Sequence, residues 1–140
     1  MVYVDTSVLV ALHLNEPRSA DVARWYGACA EELVAAAWCV TEFASALGIK
    51  QRTGQITGAE AQAAWQRFER LCANDLKLLP VEPATFYRAA VMMLDAETGL
   101  RAGDSLHLAA ALEAKAKSMA TLDDVLAKNA KRLKLRLAVR

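Results

Sequence analysis

The apolar positions of this chain follow two spacings that alternate along its length. Runs of β-branched and apolar residues at 2–4, 33–37, 76–81 and 119–121 have the length and composition of buried β-strands. Between them, apolar residues recur every three or four positions, as Trp65, Phe68 and Leu71 do, which is the spacing of an amphipathic helix. Near the end, Leu135 and Leu137 alternate with charged residues and predict an edge strand.

The alternation of strands and helices predicts the fold class. It is typical of an α/β protein, because consecutive parallel strands are joined by crossover helices that cover both faces of the sheet. We therefore expect a three-layer α/β/α sandwich with a mostly parallel central sheet of four to five strands. A length of 140 residues without an internal repeat or a linker predicts one domain over residues 1–140.

Composition excludes several classes of protein. With 55% hydrophobic and 24% charged residues the chain is not intrinsically disordered. Its net charge of +1 provides no strong overall attraction to nucleic acid or membranes, so any nucleic-acid contact must be local. The start of the chain lacks the features of a secretion signal, and the three cysteines have no metal-binding spacing. These features predict a cytoplasmic protein that does not associate with membranes.

Four acidic residues lie where the chain leaves the predicted strands or enters the helices that follow them. Asp5 comes directly after the first strand, and Glu42 lies in the first turns of a helix predicted from about residue 40 to 52. Asp104 opens a helix predicted over 105–117, and Asp123 follows the strand at 119–121. The carboxyl ends of parallel strands lie at one edge of the sheet, and each crossover helix starts there. All four acids are therefore expected at this edge, which is where parallel sheets bind ligands.

Each acid also has a structural explanation when it is considered alone. Asp5, Asp104 and Asp123 suit helix N-caps, and Glu42 suits a solvated helix face. Four acids at one edge repel one another, however, and a divalent cation would offset that repulsion. Magnesium and manganese prefer carboxylate oxygen, which predicts a Mg²⁺ or Mn²⁺ site. The expected metal ligands are Asp5, Asp104 and Asp123. Glu42 would bind the ion through a water molecule, or it would orient a water that the ion activates for attack on a phosphoryl group.

At these acids the chain resembles the PIN-domain family, in particular the VapC-type toxins of bacterial toxin–antitoxin pairs. Four blocks carry the resemblance in the same order along the chain, between residues 4 and 123. They are Val4-Asp5-Thr6-Ser7-Val8-Leu9, Thr41-Glu42-Phe43-Ala44-Ser45-Ala46-Leu47, Gly103-Asp104-Ser105-Leu106-His107-Leu108-Ala109-Ala110-Ala111 and Thr121-Leu122-Asp123.

The resemblance implies a PIN-like fold and a magnesium- or manganese-dependent endoribonuclease, often dimeric, that is silenced by a cognate antitoxin. The family's acidic positions fall on Asp5, Glu42, Asp104 and Asp123, which would be the catalytic residues. Thr6 and Thr121 match polar positions that help to hold the site. The substrate would be RNA, cut by a metal-activated water.

Two further residues near Asp104 are ambiguous in the sequence. His107 lies one helical turn after Asp104 and could be a general acid or a substrate contact, although a partly buried structural histidine is the simpler interpretation. Arg101 is a candidate phosphate contact. Position 107 is a mild departure from the family within the block from Gly103 to Ala111, because many relatives have another residue where this chain has histidine.

Two alternative functions use the same acids. A non-catalytic module would employ the acidic edge to bind a cation or a basic peptide. An Asp-nucleophile phosphatase would use Asp5 after the strand, but it would commonly carry a second Asp two residues on, where this chain has Ser7. Four acids exceed the need of the binding module, and Ser7 argues against the phosphatase, so the nuclease is the preferred hypothesis.

Overall fold

A computed structural model describes residues 1–139, in which five β-strands and seven α-helices alternate. The strands are β1 (Val2–Val4), β2 (Leu33–Ala36), β3 (Leu76–Leu79), β4 (Ser118–Ala120) and β5 (Arg136–Leu137). The helices are α1 (Thr6–His13), α2 (Ser19–Ala28), α3 (Trp38–Arg52), α4 (Gly58–Asn74), α5 (Pro83–Met93), α6 (Ala102–Glu113) and α7 (Asp124–Arg132), with a short 3-10 helix at Ala96–Thr98 between α5 and α6.

The strands form a single parallel sheet in the order β3-β2-β1-β4-β5. From β1 the chain adds β2 and β3 on one side and then returns to add β4 and β5 on the other. The order therefore reverses between β1 and β4, and crevices at such a reversal are where α/β proteins bind ligands. The predicted parallel sheet is confirmed.

Both faces of the sheet are covered, because successive side chains of a strand point to opposite faces. Val2 and Val4 of β1 belong to a core that includes Phe43 and side chains of α1 to α4. Tyr3, between them, belongs to the opposite core with Leu108 and side chains of α6 and α7. This arrangement confirms the predicted α/β/α sandwich.

The start of α6 corrects the sequence-based prediction for Asp104. The helix begins at Ala102, so Asp104 is its third residue and does not precede it. Arg101 provides the extended backbone at the helix start, and its backbone N–H donates to Asp104 Oδ2 across 3.3 Å. The helix also ends earlier than predicted, at Glu113, and Lys115 follows with a left-handed φ of 57°. Among residues 1–139, no helix is long and apolar enough to cross a membrane.

Candidate active site

Asp5 and Asp123 lie at the reversal of strand order because they follow the adjacent strands β1 and β4. Asp5 is the N-cap of α1 and Asp123 is the N-cap of α7. Thr121 connects the two: its hydroxyl donates to Asp5 Oδ2 across 2.6 Å and accepts the backbone N–H of Asp123 across 3.1 Å. Residues 116 positions apart therefore meet at one point of the sheet edge.

Asp5 is almost fully buried, at 4% exposure, and its oxygens are well supplied with donors. Oδ1 accepts the Ser7 hydroxyl at 2.6 Å and the Val8 N–H at 3.2 Å, and Oδ2 accepts the Thr121 hydroxyl. Burial raises the pKa of Asp5, against the lowering effect of these hydrogen bonds. Since each carboxylate oxygen accepts about two bonds, Oδ2 keeps one acceptor position for a further ligand.

Glu42 lies on the first turns of α3 and receives two donors on one oxygen. The Thr6 hydroxyl donates to Oε1 across 2.7 Å, and His107 Nε2 also bonds Oε1. Burial acts to raise the pKa of Glu42, but the hydrogen bonds from His107 and Thr6 outweigh it and lower the pKa. The structure therefore keeps Glu42 as a carboxylate.

The second oxygen of Glu42 is closely approached by α6 at Gly103 and lies near Trp38, the first residue of its own helix α3. A Cβ at Gly103 would stand 2.9 Å from Glu42 Oε2, which is closer than real Cβ atoms come. The same position is 3.6 Å from the indole nitrogen of Trp38, a buried N–H without a hydrogen-bond partner of good geometry within residues 1–139. The Trp38 N–H also helps to lower the pKa of Glu42. A larger residue at position 103 would therefore force the Glu42 carboxylate to move.

Asp104 and Asp123 are anchored differently. Asp104 Oδ2 accepts the backbone N–H of Arg101, and Asp123 Oδ1 accepts the backbone N–H of Leu126 across 2.8 Å. Each bond reaches only three residues along the chain. We call Asp104 and Asp123 the helix-end pair, and Asp5 and Glu42, which bond side chains from distant segments, the tethered pair.

The acids fit a magnesium or manganese ion by their chemistry, since carboxylate oxygens are the ligands that these ions prefer. Within the described chain, no three His, Cys, Asp or Glu side chains converge closely enough to hold a metal as they stand. Magnesium commonly binds one or two carboxylates and keeps several waters, so a full protein cage is not required. Asp5 Oδ2 and the second oxygens of the helix-end pair are the atoms suited to this role.

The structure adds Tyr3 to the site and gives His107, which is ambiguous in the sequence, a defined place in it. Tyr3 was interpreted only as a strand residue, although its hydroxyl lies 2.8 Å from His107 Nδ1. His107 itself, at 3% exposure, joins Tyr3 to Glu42. The available signal was the position of His107 one helical turn after Asp104. The expected phosphate contact, Arg101, is exposed at the start of α6.

The structure joins Asp5 and Asp123 through Thr121 where the strand order reverses, which is the place where parallel α/β proteins bind ligands, whereas Asp104 has only its local bond to Arg101. Within this class of parallel α/β proteins, a family model described as PIN domain matches residues 2–132. The chain therefore belongs to the PIN-domain family. No curated protein matches the sequence significantly.

Solved structures with the same fold include toxins and toxin complexes. Mycobacterium tuberculosis VapC20, a sarcin-ricin loop cleaving toxin, superposes with a TM-score of 0.76 at 17% identity, covering 97% of this chain and 99% of that one. FitAcB from Neisseria gonorrhoeae gives 0.71 at 20% identity, covering 98% and 96%. A toxin-antitoxin complex from Klebsiella pneumoniae gives 0.60 at 15% identity, covering 88% and 87%. At these identities the likeness concerns the fold.

Proposed function

We propose that this protein is a Mg²⁺- or Mn²⁺-dependent endoribonuclease and the toxin of a toxin–antitoxin pair, acting in the cytoplasm. The observation that carries the proposal is the convergence of Asp5, Thr121 and Asp123 at the reversal of strand order, with Glu42 bonded to Thr6 beside Asp5. Membership of the PIN-domain family and the toxin fold support it. The three cysteines are free, which suits a reducing compartment.

In the proposed reaction, Asp5, Asp104 and Asp123 would hold the divalent ion. When bound, such an ion neutralises charge on the phosphodiester and lowers the pKa of a bound water. Glu42 stays ionised and orients the water that attacks phosphorus. Thr121 and Ser7 hold Asp5 in one rotamer, and Thr6 does the same for Glu42. No side-chain nucleophile is needed.

A cleft of about 390 Å³ opens beside Asp5 and offers space for substrate or antitoxin. Thr6 and Ser7 form one wall, Val10 and Leu122 add apolar surface, and Arg18 lies at the rim. We propose that the antitoxin's tail occupies this cleft and the adjoining acids. Co-expression with the small protein encoded beside this one should give a stable complex, and failure to co-purify would contradict the toxin assignment while leaving the nuclease intact.

The test of the nuclease is RNA cleavage by the purified protein with EDTA, Mg²⁺ or Mn²⁺. We expect cleavage only with metal, and Asp5→Asn and Asp104→Asn should each abolish it while the protein stays folded. Asp124→Asn is a matched control, because Asp124 is an exposed acid next to the site. Parental cleavage rates in both site variants would refute the assignment.

We also propose that the protein is a homodimer that uses the outer face of α5. Tyr87, Val91 and Leu94 are 77%, 65% and 83% exposed, and their spacing places them on one side of the chain at α5 and its end. An apolar face of this kind is typical of an interface. Val91→Glu should convert a dimer into a monomer in sedimentation experiments, whereas the same mass for both proteins would exclude this face.

The non-catalytic alternative makes a different prediction for the same experiments. A cation- or peptide-binding module would take up metal but leave RNA intact. The phosphatase alternative lacks its acid/base carboxylate, because the position two residues after Asp5 is Ser7. The Ser7 hydroxyl instead donates a hydrogen bond to Asp5. Cleavage of RNA without turnover of small phosphate monoesters would separate the nuclease from both.

A further inference from the structure

A buried histidine and tyrosine stand behind Glu42 as a hydrogen-bonded chain. His107 on α6 bonds Glu42 Oε1 through Nε2 and lies 2.8 Å from the Tyr3 hydroxyl through Nδ1. The two rings meet edge to face, with centroids 5.8 Å apart. Tyr3 is 0% exposed and His107 is 3% exposed, so solvent does not compete for these bonds.

The direction of each bond follows from the donors and acceptors present. The backbone N–H of Ala36 lies 3.0 Å from the Tyr3 oxygen and can only donate to it. A phenol hydroxyl keeps its proton at neutral pH, and with the Ala36 N–H already donating to the oxygen, the neighbour left to accept that proton is His107 Nδ1. A neutral imidazole that accepts at Nδ1 carries its proton at Nε2. That proton faces Glu42.

The opposite tautomer would place two hydrogen-bond acceptors, His107 Nε2 and the Glu42 carboxylate, against each other. With the proton at Nδ1, the lone pair of Nε2 would face the Glu42 carboxylate, and the Tyr3 hydroxyl proton would lose its acceptor. Both are costly where water is excluded. The Ala36 N–H at the end of β2 therefore determines, through Tyr3, which nitrogen of His107 donates to Glu42.

These donors also determine which oxygen of Glu42 is left to accept a further hydrogen bond. Oε1 accepts from Thr6 and from His107, which fills its two acceptor positions. Oε2 lies against Gly103 and near the Trp38 indole, and neither of the hydrogen bonds from Thr6 and His107 uses it. The carboxylate is thus held in one orientation, with Oε2 as the oxygen that remains to accept a further hydrogen bond.

We propose that His107 is a positioning residue, oriented by Tyr3, that holds Glu42 so that Oε2 accepts a hydrogen bond from the attacking water. The proposal rests on the nuclease function proposed above. It differs from a purely structural role for His107, because the effect on turnover passes through the Glu42 carboxylate, which is also bonded by the Thr6 hydroxyl, 3.3 Å from His107 Nε2.

A double-mutant cycle tests this dependence in the full-length protein. His107→Leu should lower kcat about 10- to 100-fold with little change in KM, as losses of supporting contacts around active sites do. In a Glu42→Gln background the same substitution should cost almost nothing more, because the group that it positions is already altered. Equal losses from His107→Leu in both backgrounds would overturn the proposal.

Two variants separate positioning from packing. His107→Gln should recover most of the lost activity, since its amide nitrogen can donate near the place of Nε2. His13→Leu is the matched control: it removes the other histidine of the chain, which is also buried and lies in the core on the opposite side of the sheet. It should leave kcat per folded molecule unchanged. A kcat loss from His13→Leu as large as that from His107→Leu would contradict the assignment.

Nitrogen-15 NMR of the labelled histidines reads the tautomers without any substrate. His107 should carry its proton at Nε2, and Glu42→Gln should shift its signals. His13 should show the opposite tautomer, because its Nδ1 lies 2.7 Å from the Leu9 carbonyl oxygen and must donate to it. A proton at Nδ1 of His107 would refute the chain of bonds.

The two experiments also separate this inference from the function on which it rests. If the parent protein cleaves no RNA, the proposed function fails, while the NMR result still decides whether Tyr3 and His107 hold Glu42 as described. If the parent cleaves RNA but His107→Leu cleaves at the same rate, the positioning role fails and the nuclease stands.

Discussion

The tethered pair and the helix-end pair are held by different kinds of contact. Asp5 and Glu42 bond hydroxyls and an imidazole from segments far along the chain, whereas Asp104 and Asp123 bond backbone amides of their own helices. The first pair therefore depends on the packing of the whole domain. The second depends only on two helix starts, which leaves it adjustable to a ligand. The site thus combines two acids held by long-range contacts with two held by local ones.

The largest effect within this comparison is expected when an acid of the helix-end pair loses its charge but still accepts the hydrogen bond that caps its helix. Asparagine caps helices as well as aspartate does, so Asp123→Asn should preserve the bond to the Leu126 N–H and the melting temperature. Loss of a metal ligand should nevertheless lower cleavage about 100- to 1,000-fold. Cleavage assays and thermal melts beside Asp124→Asn measure the two effects separately. An active Asp123→Asn protein would show that this acid serves only as a cap.

A smaller loss should follow from crowding the tethered pair. Gly103→Ala adds a Cβ that would meet Glu42 Oε2 at 2.9 Å, and the carboxylate can escape only by moving. We expect cleavage to fall about 10- to 100-fold while the helix remains stable, because alanine favours helices over glycine. Gly27→Ala in α2 is the control, since nothing lies within 4 Å of a Cβ there. Unchanged cleavage by Gly103→Ala would mean that Glu42 need not be held closely.

Beyond the acids, Arg101 should affect binding more than turnover. It stands exposed at the start of α6, beside the helix-end acid Asp104, where its charge can meet a phosphate. Arg101→Ala should raise KM about 3- to 10-fold with little change in kcat, and Arg70→Ala on α4 should change neither. A pure kcat effect would place Arg101 among the groups that stabilise the transition state.

The smallest effects concern stability, and they should have opposite signs within the tethered pair. A raised pKa means that native Asp5 favours its proton, so in EDTA its contribution to stability falls as pH rises above its ordinary value of 3.8. Asp5→Asn should therefore melt a few degrees higher than the parent at pH 7, and this gap should close towards pH 4.

Glu42 has the lowered pKa, so its carboxylate stabilises the protein above its ordinary value of 4.5, and that stabilisation is lost as pH falls. Glu42→Gln should therefore melt lower than the parent at neutral pH and approach it in acid. Thermal melts from pH 4 to 8 measure both variants. Shifts of the same sign for Asp5→Asn and Glu42→Gln would contradict the difference between the two carboxylates.

The same contrast explains what the sequence could predict. Asp5 and Asp123 were placed correctly beside their strands, because strand ends and N-caps are local signals and connectivity brings parallel strand ends together. The start of α6 was misplaced, because an extended Arg101 backbone and not the Asp104 side chain begins the helix. The contact between Tyr3 and His107 depends on how α6 packs against β1, and no local pattern encodes that distance.

The most direct test of the site is calorimetric titration of the protein with Mn²⁺ and Mg²⁺. Saturable uptake is expected in the parent and in Asp124→Asn, with loss or strong weakening in Asp5→Asn and Asp104→Asn. A parent protein that takes up neither ion, or site variants that bind as well as the parent, would contradict a metal-dependent mechanism at these acids.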